Sequence, residues 1–182
     1  MPRWINPPLR VYHGTSTDSI SGSVRGSALA PGPIPFAISL SFCRPYTDFG
    51  HGFYVTTSLH QAREWANSKV RSAPHATSAQ ALVLEFFPDR DQLASLETLC
   101  FVRPTKDYWD LIHDCRNRFP PHQRVYPYGP YDVVYGPVTI WPSRLLIANC
   151  DQISFHTQRA LICLGTSANI LQIAPRTAKL FP

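Results

Sequence analysis

Gly52-Phe53-Tyr54-Val55-Thr56-Thr57, then Ser58, then Gln61-Ala62-Arg63-Glu64-Trp65-Ala66, set the architecture of this chain within a few turns of sequence. The first run is β-branched and aromatic, which favours a strand. Ser58 can cap a helix by accepting a backbone N–H, and the residues after it suit that helix. On the N-terminal side, Leu9-Arg10-Val11-Tyr12-His13-Gly14 alternates apolar and polar residues and reads as a short strand ending in a turn at His13-Gly14. Residues 15–47, rich in Ser, Gly and Pro, read as a loop long enough to act as a lid or ligand wall.

Toward the C-terminus, the continuous apolar run Ala81 to Phe87, bounded by Pro88, predicts a buried strand. Lys106 to Arg118 places Tyr108, Trp109, Leu111, Ile112 and Cys115 near helical spacing, so a second helix is expected to cover the sheet. Tyr131 to Val138 and Gln152 to Thr157 read as two further strands, the latter followed by a short helix over Gln158 to Leu164 with Gly165 at its C-cap. The tail beyond Ser167 is expected to be peripheral. With no internal repeat and no strict β-α-β alternation, the fold class is α+β rather than a doubly wound sheet.

The composition fits one such unit. A length of 182 residues with 44% apolar side chains suits a single domain with one core. Charged residues are only 16%, too few for a solvated coiled coil or a charge-driven disordered segment. The 18 prolines gather at 31–35, 120–121 and 127–142, which predicts short strands joined by irregular connections. A formal charge of +5 favours phosphate-bearing partners, but no basic run marks a nucleic-acid patch.

Cys43, Cys100, Cys115, Cys150 and Cys163 are odd in number and include no C-x-x-C pair, which suits neither a disulfide framework nor a zinc site. Most are expected to be small buried hydrophobes. His51, His113, His122 and His156 lack metal-ligand spacing and read as surface or loop residues, so no metal is expected. Met1 to Tyr12 has no continuous apolar stretch and no segment is apolar over a membrane-spanning length. The expectation is a cytoplasmic chain with no membrane partner, unless a dedicated system exports it.

There is no G-x-G-x-x-G, P-loop, H-E-x-x-H or G-x-S-x-G, so the mechanical parts of doubly wound dinucleotide folds, NTPases, zincins and α/β-hydrolases are missing. What remains is a set of polar and aromatic residues at strand ends. Gly14, Gly50 and Gly52 would let the backbone approach a planar amide closely. Tyr54 and Trp65, across a strand-to-helix turn, could sandwich a flat cationic ring such as nicotinamide.

The order Tyr12-His13-Gly14, Phe49-Gly50-His51-Gly52-Phe53-Tyr54 and Trp65 eleven residues later resembles the ADP-ribosyltransferase superfamily. The branch is the His-Tyr-Glu one, shared by poly(ADP-ribose) polymerases and diphtheria-like toxins. Blocks at Asp48 to Tyr54, Gln61 to Ala66, Tyr131 to Pro137 and Gln152 to Thr157 make it similar to small bacterial and fungal toxin or effector domains of that superfamily. The resemblance spans residues 9–165. It implies a split β-sheet with flanking helices and an NAD cleft, and an enzyme that transfers single ADP-ribose units from NAD to a protein or nucleic-acid acceptor. It also allows for an inhibitory partner protein.

Family roles carry over residue by residue. His13 would bond a ribose hydroxyl, Gly14 would hold the nicotinamide amide through its backbone, and Tyr54 and Trp65 would stack on the ring, with Trp65 where the family usually has Tyr. Thr15, Gly52 and Phe53 complete the implied NAD-binding set, Phe53 standing in an aliphatic place. The implied catalytic set is His13, Tyr54 and either Gln152 or Asp151, because the family's glutamate is absent from the start of the last motif strand. A one-residue shift reverses the face of a strand, so only one of the two can face the pocket. Gln152 is favoured, because Ile153 and Phe155 then share the opposite, core-facing side. Breaking the nicotinamide–ribose bond passes through an oxocarbenium-like state that a carboxylate stabilises. Glutamine can orient but supplies no charge, so slow or single-unit transfer is expected.

Blander readings stand beside these. His13 alone reads as a strand-end residue bonded to a loop, and Tyr54 and Trp65 as core aromatics between a strand and its following helix. Asp48 reads equally well as a cap of the Phe49-Gly50 turn, and Asp132 as a turn or strand-edge hydrogen bond. Alternatives for the whole are an NAD glycohydrolase, a non-catalytic module that binds NAD, ADP-ribose or a protein, and an unrelated structural α+β domain.

Overall fold

The computed structural model describes residues 7–20, 32–35, 38–72, 79–117, 122, 130–165 and 167–182. Among them, eight strands form two four-stranded sheets. The first is antiparallel throughout, in the order β1 (Val11–Ser16), β4 (Ala81–Phe86), β8 (Ser167–Ile173), β2 (Gly32–Pro35). The second runs β3 (Phe53–Val55), β7 (Leu145–Phe155), β6 (Val133–Ile140), β5 (Thr98–Cys100), with β5 parallel to β6. The sheets touch where Tyr12 and Thr56 exchange backbone N–H···O bonds of 2.8 and 2.9 Å. Five helices complete the order: α1 (Thr17–Ile20), α2 (Leu59–Arg71), α3 (Arg90–Ala94), α4 (Lys106–Asn117) and α5 (Gln158–Ile162). None is long and apolar enough to cross a membrane among the described residues.

Strand alternation sorts side chains into two apolar clusters. Phe53 and Val55 join Val11, Leu82, Leu84, Phe86, Val133, Phe155 and Ile170 in a core drawn from both sheets. Tyr54, between them in sequence, turns the other way and packs with Phe49, Tyr108, Ile112 and Val134. That second cluster exists because Tyr108, Ile112 and Cys115 recur at three- and four-residue steps along α4 and bury one stripe of it. Each fully buried Phe contributes about 1.5–3 kcal/mol of transfer free energy.

Helix α2 begins where Ser58 Oγ accepts the Gln61 N–H at 3.2 Å, as its sequence predicts, and its last turn carries Lys69 and Arg71, favourable at a C-terminus. It lies directly on β1. A Cβ placed on Gly14 would fall 2.0 Å from the Ala62 carbonyl oxygen and 2.9 Å from the Ala66 nitrogen. The expected turn at His13-Gly14 is therefore absent: the strand continues to Ser16, and Gly14 is there to admit a helix backbone.

Residues 15–47 do not form one long loop. They hold the end of β1, α1, β2 and a 3-10 turn at Leu40–Phe42, while 21–31 and 36–37 lie outside the described residues. Pro33 and Pro35 are tolerated in β2 because it is an edge strand. Pro137 sits inside β6, beside a shift of register between Pro137 and Thr139. The expected peripheral tail is instead β8, held between β4 and β2, with Ile170 and Ala174 buried. The prolines at 120–121 and 127 lie outside the described residues. The strands over 81–86 and 133–138, helix α4, and α5 followed by Gly165 at φ 85° agree with the sequence reading.

Candidate functional site

His13 lies in β1, and its Nδ1 donates to the backbone carbonyl of Tyr54 at 2.7 Å. Its ring stacks on Phe53, centroids 4.5 Å apart and planes 26° apart. Burial first, then the Lys69 ammonium, lower its pKa to about 3 against the opposing bond to Tyr54, so the imidazole is neutral near pH 7. With the proton on Nδ1, Nε2 keeps a lone pair and acts as an acceptor. Among the described residues Nε2 has no hydrogen-bond partner.

Tyr54 Oη donates to Gly50 O at 2.8 Å and accepts from the Phe49 N–H at 2.9 Å and from Thr47 Oγ1 at 2.8 Å. Its ring stacks on Phe49 at 6.4 Å, and burial pushes its phenol pKa far up. The hydroxyl thus ties down the 47–50 loop, where Gly50 takes φ 79°. Trp65, on α2, leaves 49% of its surface exposed, and its ring does not touch that of Tyr54. Thr15 and Phe53 are both buried. Gly52 is required by His156, whose Nδ1 would lie 2.7 Å from an added Cβ. Protein atoms, rather than open space, face the side-chain positions of both Gly14 and Gly52.

Gln152 and Asp151 point to opposite sides of β7. Gln152 shares its face with Ser154, which pairs with Tyr54, while Ile153 and Phe155 pack toward the core of both sheets. Gln152 Nε2 donates to Asp48 Oδ2 at 2.8 Å and to Pro137 O at 3.0 Å. Both partners are acceptors, so chemistry fixes the orientation of the amide and leaves Oε1 as its other pole. The Asp151 carboxylate accepts from Thr56 Oγ1 and Thr57 N, each at 2.8 Å, and from Thr57 Oγ1 at 2.5 Å. Its backbone is clamped by the Gln61 side chain, which donates to Asp151 O at 2.9 Å and accepts from Asp151 N at 3.2 Å.

Asp48 does not cap the Phe49-Gly50 turn. It is 3% exposed and accepts from Arg116 Nε and Nη2 at 3.0 and 2.5 Å, from Thr139 Oγ1 at 2.9 Å and from Gln152. This hub joins residues far apart in sequence. Its partners Arg116 and Thr139 carry no local signal, and sequence reasoning missed them.

Other side chains fall outside this site. Asp132 accepts from Glu97 N–H, Thr157 and Arg159, a structural role close to its strand-edge reading. Burial opposes ionisation there, but those bonds prevail and its pKa is lowered. His122 and His156 are buried rather than on the surface, with ring centroids 4.4 Å apart, because each bonds a backbone carbonyl, of Phe49 and His51 respectively. Only Cys115 and Cys163 of the five cysteines are buried. Cys100 is exposed on the edge strand β5, and all five are unpaired. Among the described residues no three His, Cys, Asp or Glu side chains converge as a metal site.

A family model described as "Protein of unknown function (DUF3990)" matches residues 36–140, a span that includes Asp48, Tyr54 and Trp65 but not His13 or Gln152. No curated protein and no solved structure matches the chain.

Proposed function

The chain belongs to the DUF3990 family, and we propose that it is an NAD-dependent mono-ADP-ribosyltransferase. The observation that carries this reading is the 2.7 Å bond from His13 Nδ1 to Tyr54 O, which brings two motifs 41 positions apart to one point. It holds a neutral imidazole with Nε2 as an acceptor, to which a ribose hydroxyl can donate. The mixed two-sheet architecture is compatible with a split-sheet transferase fold. In this reading Trp65 offers a half-exposed flat face to the nicotinamide or adenine ring, and the fixed amide of Gln152 orients the ribose. Nicotinamide leaves with the electrons of its bond to C1′, and the oxocarbenium is captured by an acceptor nucleophile. The test is nicotinamide release from labelled NAD, with cell extract split into protein and nucleic-acid fractions. Label on one fraction, lost in His13→Ala, is the expected result; the absence of both nicotinamide release and NAD binding would refute it.

One observation favours a second reading, a module that binds NAD or ADP-ribose without turnover. No carboxylate stands uncommitted beside the ribose position: Asp151 is held by Thr56 and Thr57, and Asp48 by Arg116, Thr139 and Gln152. An oxocarbenium would then lack its stabilising charge. NAD binding with no release identifies this case.

A further inference from the structure

Gln61 is buried in the first turn of α2, and both ends of its amide are engaged by other segments. Nε2 donates to Asp151 O at 2.9 Å, while Oε1 accepts from Asp151 N at 3.2 Å and from Thr56 Oγ1 at 2.9 Å. A carbonyl only accepts and a backbone N–H only donates, so the amide has one orientation. Ser58 Oγ, by capping the Gln61 N–H, fixes the turn from which this side chain extends.

The place of these bonds in the sheet gives them weight. The ladder between β3 and β7 ends at Val55 and Ile153. Asp151 lies two residues further along β7, so its backbone groups point to the same side as those of Ile153. On its other side Asp151 faces Pro137, which has no N–H, and the register of β6 with β7 shifts directly beyond that pair. The Gln61 amide thus supplies the rung that β3 lacks, at the point where regular pairing stops on both sides. A slip of one residue there would exchange the faces of Asp151 and Gln152. The same helix lies against β1 through Ala62 and Ala66 on Gly14, the neighbour of His13. One helix therefore joins the strand of His13 to the strand of Gln152.

We propose that Gln61 is a positioning residue: by holding the backbone of Asp151 it keeps the neighbouring Gln152 amide on the face where it would orient the ribose. For the reaction it serves, the proposal rests on the reading above. Gln61 touches no reacting atom and acts through Gln152.

Nicotinamide release from NAD by the full chain, measured below the melting temperature of every variant, tests this in wild type, Gln61→Leu, Gln152→Leu and the double variant. Leucine is close to glutamine in size and removes donor and acceptor together. Gln61→Leu should lower the release rate constant about tenfold or more, with KM for NAD changed less than about twofold because His13 and Trp65 are untouched. The double variant should be no slower than Gln152→Leu, since a residue that acts through another adds nothing once that one is gone. Losses that multiply, or a Gln61→Leu variant as fast as the wild type, overturn the proposal and leave the NAD reading standing. Amide exchange reads the rung itself: the Asp151 N–H should exchange at least about tenfold faster in Gln61→Leu, with the β4 amides unchanged. Equal Asp151 exchange in both proteins also overturns the proposal. No release by the wild type removes the reaction; accelerated Asp151 exchange in Gln61→Leu then still shows that Gln61 holds β7, so the two failures are told apart.

Discussion

Gln152 is held by what its amide donates, so the substitution that restores the family's glutamate is not a simple gain of catalytic charge. Gln152→Glu would set a carboxylate against Asp48 Oδ2, where the amide now sits at 2.8 Å, and against Pro137 O at 3.0 Å. Two buried carboxylates in that contact must share a proton or separate. The expected outcome is a loss of about 2–4 kcal/mol in urea unfolding near neutral pH, partly recovered by adding Asp48→Asn. A single mutant as stable as wild type would show that the amide does not face Asp48. Tyr54 carries a second test of this kind. Tyr54→Phe keeps the ring but strands the Phe49 N–H, while Gly50 O keeps Thr47 Oγ1 as a donor, and should cost about 1–3 kcal/mol of stability. Tyr54→Ala should cost more, so a fall in NAD affinity in that variant has to be compared with the Phe variant before it is credited to stacking. The motif pattern leads to His13 and Tyr54 as a pair because both stand at strand positions with characteristic neighbours. It does not lead to Asp48 as a hub, because a carboxylate's partners at positions 116, 139 and 152 are set by tertiary packing and leave no periodic trace.

At the level of elements, the junction of β1 with α2 depends on the missing side chain of Gly14. The obstruction is the backbone carbonyl of Ala62, 2.0 Å from an added Cβ, so no rotamer can relieve it. Gly14→Ala should destabilise the fold by at least the 1–3 kcal/mol typical of overpacking. Ala62→Gly should not rescue it, since it trims the wrong atoms; rescue in a denaturant titration would mean that the helix does not lie this close. The elements legible in sequence are those with strong local patterns: the capped α2, the wholly buried β4 and the apolar stripe of α4. Strand β8 is not among them. Its Ser167-Ala168-Asn169-Ile170-Leu171-Gln172-Ile173 is interrupted by Asn169 and Gln172 and has neither a continuous apolar run nor a clean alternation, and it holds its central place by pairing with β4 on one side and β2 on the other. The same holds for the first half of β7, where Leu145, Leu146 and Ile147 are all exposed and Leu145 and Leu146 pair with Ile140 and Thr139 of β6 beyond a register shift rather than in an alternating pattern.

For the molecule as a whole, two histidines, the buried His156 and the partly buried His13, should set the response to acid. His156 has Nε2 paired with Ser154 Oγ at 2.7 Å and Nδ1 with His51 O at 2.9 Å. Burial, and then His122, lower its pKa to about 3, the value that burial and Lys69 give His13. Both folded values lie below the ordinary imidazole value of 6.5, so between 6.5 and about 3 the unfolded chain binds more protons than the folded one. Their contribution to stability is full above pH 6.5 and is lost as the pH falls toward about 3. Each histidine removes at most about 1.4 kcal/mol per pH unit, and the two together about 3. Two units of acidification would then cost roughly 5 kcal/mol, comparable with the whole stability of a small domain. Asp132 acts in the same direction but lower, because its depressed pKa matters only below its ordinary value of 3.8. Urea midpoints measured from about pH 8 to pH 4 should therefore be level down to near 6.5 and then fall steeply, well before the carboxylates titrate. His13→Gln should halve that slope, and a midpoint unchanged between pH 7 and 5 would show that neither imidazole is held neutral by the fold.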